Sequence, residues 1–122
     1  MKFDQTIPIY IQLSREITLR IVSGAWKPGR KIPPVREMAA EFGVNPNTMQ
    51  RAMAELERQG LVYAERTAGR YVTEEEERIL ACRRALATEE SEKYLTEMKG
   101  LGFRPDMIQE MLREIWERED RK

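Results

Sequence analysis

The chain has 122 residues, 21 basic and 21 acidic side chains, one cysteine and no histidine. That length holds one compact domain with an appendage; without histidine the commonest general base and metal ligand is missing. A lone cysteine, Cys82, excludes an internal disulfide.

The first element predicted is a helix that Ile7-Pro8-Ile9-Tyr10-Ile11-Gln12-Leu13 leads into and that runs to about Val22. Tyr10, Leu13, Ile17 and Ile21 fall three, four and four residues apart, one inward face. Ser23-Gly24 ends it, and Trp26-Lys27-Pro28-Gly29 reads as a turn.

Two short helices follow. Val35, Met38, Ala39 and Phe42 repeat at i, i+3, i+4, i+7, with Pro34 in the first turn and Gly43 as the stop. Asn45 is placed to cap the next helix and Pro46 to sit at its first position. There Met49, Ala52, Met53 and Leu56 face the core, while Asn47, Arg51, Ala54 and Arg58 project oppositely, flanked by Thr48 and Gln50. Amide and guanidinium groups make two-pronged hydrogen bonds to base edges, each worth about 1–3 kcal/mol of discrimination. The helix start also offers free backbone N–H groups to phosphate oxygens. For a lone arginine a solvated helix face is the ordinary reading; so many such groups at one helix start point to a DNA-reading helix-turn-helix.

Residues 60–72 contain two short β-prone runs around a turn with one glycine, Gly69, which is a hairpin signal. Such a wing lays its tip on a phosphate backbone or in the minor groove, with Arg66 and Arg70 as its charged contacts; capping one end of the core is the plainer alternative. The expected fold is mostly α with a small β-hairpin: a winged helix-turn-helix domain at 1–73, then a short two-helix dimerisation region at 74–122.

Charge divides at the same place. Residues 1–73 carry 11 basic and 7 acidic side chains, a net of +4; residues 74–122 carry 10 and 14, a net of −4. The basic half is the half with the DNA-reading pattern.

Glu74 to Glu77 suit the first turn of a helix through its dipole. Ile79, Cys82, Leu86, Tyr94, Leu95 and Met98 mark an amphipathic helix to about Lys99, with Cys82 as a reduced, buried thiol. Gly100-Leu101-Gly102-Phe103 breaks it and Pro105-Asp106 starts another, striped with Ile108, Met111, Leu112, Ile115 and Trp116. Two such helices cannot bury both apolar faces on each other. A second copy is the expected cover, since helix-turn-helix readers usually work as symmetric dimers; padding of a monomer is the alternative. Trp116, Phe103 and Tyr94 are expected as core aromatics, or else as the lining of a crevice for a small effector whose identity the sequence does not give.

These stretches resemble a known family. Pro8-Ile9-Tyr10-Ile11-Gln12, Gly24 to Gly29, Pro34-Val35-Arg36-Glu37-Met38-Ala39, Gly43 to Thr48 and Leu56 to Leu61 are similar to the DNA-binding domain of GntR-family bacterial transcription regulators. The Asn-Pro-Asn-Thr variant and short C-terminal part are most similar to the YtrA-type subfamily. The resemblance implies DNA contacts from Arg36 and from Asn47 and Thr48, with Gln50 and Arg51 behind them, and a wing glycine at Gly69 beside Arg70. Pro34 departs from the pattern by replacing a small hydroxyl residue, and Thr67 and Ala68 stand where a second glycine and a basic residue are common. It further implies a cytoplasmic repressor, dimeric through residues 78–119, acting on an operator near transporter genes. No signal peptide, membrane segment, phosphate loop or nucleophilic serine setting is seen, so neither membrane, cofactor, metal nor enzymatic activity is expected. A winged helix that docks a protein partner is the rival reading; it calls for apolar groups where this chain has Asn47, Gln50 and Arg51.

Overall fold

The computed structural model describes residues 1–121. Its elements are α1 (Ile9–Val22), α2 (Val35–Phe42), α3 (Pro46–Arg58), β1 (Val62–Glu65), β2 (Gly69–Val72), α4 (Glu76–Gly100) and α5 (Pro105–Asp120). They form two compact units, Met1–Arg83 and the remainder from Arg84, so the division falls inside α4 rather than before it. Ile79, in an early turn of α4, is buried and belongs to the first unit.

In the first unit, Leu13, Ile17 and Ile21 of α1, Met38 of α2 and Met49, Met53 and Leu56 of α3 are sealed from solvent. The apolar spacing seen in the sequence thus becomes the core, with two exceptions. Val35 is half-buried, and so is Tyr10, which carries a cation on its ring instead of packing inward. Ser14 and Thr18 are buried on α1 but not unsatisfied: their hydroxyls donate to the carbonyls of Tyr10 at 2.5 Å and Ser14 at 2.7 Å.

The helix ends follow local chemistry. Gly43 takes φ +67°, and the Val44 N–H turns back to the Ala39 carbonyl at 3.0 Å. Asn45 then accepts the Asn47 N–H at 2.8 Å, with Pro46 in the first turn of α3. α2 and α3 are thereby joined by a tight turn over residues 43–45.

β1 and β2 pair antiparallel, Val62 against Val72 through Glu65 against Gly69. Residues just after the Trp26 turn add a third, short rung that sequence patterning does not show. Gly29 N–H donates to Val72 O, Val72 N–H to Arg30 O and Ile32 N–H to Arg70 O, each at 2.9 Å, and Lys31 bridges Tyr71. Trp26 is buried, with the Arg20 and Arg30 guanidiniums 5.5 and 5.2 Å from its ring centre.

In the second unit, α4 closes at Gly100, and Gly102 (φ +88°) turns the chain so that Phe103 N–H reaches Met98 O at 3.0 Å. Ile108 is buried, and Leu86, Tyr94, Met98, Phe103 and Met111 are half-buried. Trp116 corrects the expectation of a core aromatic: it is 75% exposed. It lies on the part of α5 that nothing within its own unit covers, beside exposed Leu112 and Ile115. Cys82 is likewise half-buried rather than buried; that partial burial pushes its thiol pKa up.

Candidate nucleic-acid interface

The α3 face opposite Met49, Ala52, Met53 and Leu56 is the centre of the site. Asn47, Gln50 and Arg51 are exposed there and Thr48 is half-exposed. Met49 is fully buried two residues after Asn47, which fixes the helix rotation and turns that face outward.

Arg51 does not extend free into solvent. Its guanidinium lies 3.9 Å from the Tyr10 ring centre, joining α3 to α1. Arg58, further along the same face, is engaged by Glu55, and that contact, with Gln59 second, pulls the Glu55 carboxyl down to about 2. The guanidinium of Arg58 is thereby occupied within the helix.

Arg36 on α2 is exposed, as is Arg66 in the wing turn, and neither is drawn into an ion pair among the described residues. Gly69 opens β2 at φ +103°, a conformation that favours glycine, with the Lys31 side chain alongside. Arg70, expected at the wing's phosphate contact, is engaged by two side chains of α3. Its Nε donates to Glu57 of α3 at 2.5 Å and its Nη1 to Gln50 Oε1 at 3.3 Å. Only a fifth of its side chain is exposed.

The structure therefore carries Asn47, Thr48, Gln50 and Arg51 on one helix and joins Arg70 to Gln50, while Arg36 and Arg66 stand on flanking elements. Tyr10, Glu57 and Lys31 were missed by sequence reasoning. Tyr10 was hidden because its spacing fits a core position; Glu57 gave a signal, since it lies seven residues after Gln50 and so on the same side of the helix.

Three helices with a sharp α2–α3 turn and a hairpin behind the third define a winged helix-turn-helix. The family model described as "Bacterial regulatory proteins, gntR family" matches residues 9–72. The chain is 36% identical over 116 residues to the HTH-type transcriptional regulator YhcF of Bacillus subtilis, covering 95% of this chain and 96% of that one. It is 31% identical over 109 residues to the HTH-type transcriptional repressor YtrA of the same organism, covering 88% and 84%. Among solved structures, a GntR family transcriptional regulator from Listeria monocytogenes superposes with TM-score 0.85 at 38% identity, covering 92% of this chain and 98% of that one. The DNA-binding domain of AraR in complex with operator ORR3 superposes with TM-score 0.54 at 33% identity, covering 60% and 88%.

This chain belongs to the GntR family of bacterial transcription regulators. Such proteins bind DNA and are not enzymes. Among the described residues no helix is long and apolar enough to cross a membrane, and no cluster of potential metal ligands occurs.

Proposed function

We propose that the protein is a transcription repressor that binds a palindromic operator as a homodimer, reading bases through Asn47, Thr48, Gln50 and Arg51 with Arg36 beside them. Arg66 and Gly69 set the wing on the backbone or in the minor groove. The observation that carries this reading is the α3 face: Asn47, Gln50 and Arg51 exposed and Thr48 half-exposed at the start of a helix whose other side is sealed in the core. Repression is supported by likeness to YtrA, named a transcriptional repressor. The subfamily resemblance points to transporter genes as targets.

Dimerisation falls to the second unit. Leu95, Leu112, Ile115 and Trp116 are exposed there, and Leu86, Met98 and Met111 are only half covered, whereas Ile79 and Ile108 are already shielded within the single chain. Burying apolar surface contributes about 25 cal/mol per Å². Joining two copies through this face gives two reading heads, and half-sites of such readers lie about 34 Å apart.

The test is selection of bound duplexes from a random library by the purified protein at physiological salt. Enrichment of a palindrome supports the reading. Salt-sensitive binding without enrichment overturns it and favours a protein-docking role.

A further inference from the structure

We propose that Arg70 is a positioning residue for base recognition, not a phosphate contact: held by Glu57, it orients the Gln50 amide and so sets which base Gln50 reads. The inference rests on α3 as the recognition helix and assigns a part of its specificity to the wing. Gln50 and Glu57 are separated by seven residues, two turns on one side of α3. The Arg70 side chain crosses from β2 and joins both, its Nε on Glu57 and its Nη1 on Gln50 Oε1.

The chemistry is one-directional. A guanidinium only donates, so the amide atom that faces Arg70 is the oxygen. The amide Nε2, with two N–H donors and nothing to accept with, is left to point away. Glu57 completes the device, because its carboxylate neutralises Arg70 and competes with phosphate for it. A free glutamine pairs with adenine through both amide atoms, accepting from N6 and donating to N7. With its oxygen already serving Arg70, Gln50 is biased towards edges that only accept: guanine O6 and N7, or thymine O4.

The experiment is library selection followed by affinity measurements on single-base operator variants, with full-length wild type, Gln50→Ala, Arg70→Met, Arg70→Lys and Glu57→Gln. The position that Gln50→Ala flattens identifies the base Gln50 reads. Arg70→Met is expected to lose discrimination at that same base pair by about five-fold or more, with the salt dependence of binding unchanged. Glu57→Gln, which leaves Arg70 in place but frees it, is expected to blur the same position, and Arg70→Lys to keep part of the preference. A merely structural role would lower affinity alike for every operator variant, and that outcome overturns the proposal. So does an even loss with a salt slope reduced by about one per subunit, the mark of a phosphate contact. If wild type enriches no sequence, the recognition-helix reading fails with it; if wild type enriches an operator whose preferences Arg70→Met leaves intact, only the relay fails.

Discussion

The Arg51 guanidinium lies 3.9 Å from the centre of the Tyr10 ring, so a side chain of α3 that we propose as a reading group is stacked on the first helix. The ring's negative face attracts the cation, and the stack limits the conformations that Arg51 explores before DNA arrives. At an exposed site such a contact contributes about 0.5–1 kcal/mol. Tyr10→Leu is expected to weaken operator binding by a few-fold, and Tyr10→Phe, which keeps the ring, to leave it nearly intact. Fluorescence anisotropy with the selected operator decides; equal losses in both variants would remove the ring from the explanation.

Trp116, 75% exposed on α5, is the largest apolar group that the single chain leaves uncovered. If two copies meet on this face, Trp116→Glu places a charge in the contact and separates them. Sedimentation is expected to report a dimer for wild type and a monomer for the variant at the same concentration. Operator affinity is expected to fall with it, because two linked heads bind far more tightly than one. A variant that stays dimeric would move the interface elsewhere.

Gly60 sits at φ +79°, and a Cβ there would collide with the Arg78 guanidinium, whose Nη1 donates to Gly60 O at 3.3 Å. Gly60→Ala is expected to cost about 1–2 kcal/mol, from the left-handed backbone and from displacing Arg78. Adding Arg78→Ala removes the collision but not the backbone term. Thermal unfolding of the double variant is therefore expected to remain below that of Arg78→Ala alone; full recovery would show that the backbone geometry is not limiting.

Glu55 is held at about 2 by Arg58, with Gln59 second, against an ordinary value of 4.5. Because the folded-state value is depressed, the stabilisation it reports is present above the ordinary glutamate range and is lost as pH falls towards about 2. The pair is exposed, so its effect on global stability is small and the carboxyl itself is the better reporter. In an NMR titration the Glu55 carboxyl is expected to titrate well below other glutamates and to return towards 4.5 in Arg58→Ala. An unmoved value would place the cause outside this pair.

How much of this was legible beforehand depended on range. The α2–α3 turn was readable because Gly43, Asn45 and Pro46 encode it locally, and the Met49 to Leu56 spacing put the polar face of α3 outward without reference to any other element. What escaped notice crosses between distant segments. Tyr10 and Arg51 are 41 positions apart, and nothing in either neighbourhood announces their stacking. Arg70 looked like a wing-tip cation because the hairpin was read alone; its partner Glu57 lies on another element. The Lys31 rung escaped for the same reason, being a strand of a single bridge with no alternation of its own. For Trp116 the stripe predicts burial under a second copy, and within the single chain the residue is 75% exposed.

That Lys31 rung has a consequence for how the protein meets its target. Gly29 to Ile32 are hydrogen-bonded to β2 immediately before the chain enters α2, so the root of the wing and the approach to Arg36 are stitched into one sheet. Arg70 ties that sheet to α3. Three pieces of chain that would otherwise each have to find the duplex separately thus arrive as a preorganised template, their ordering entropy already spent in folding. In the proposed complex the base-reading side chains of α3 are therefore offered to the duplex from a surface ordered in advance.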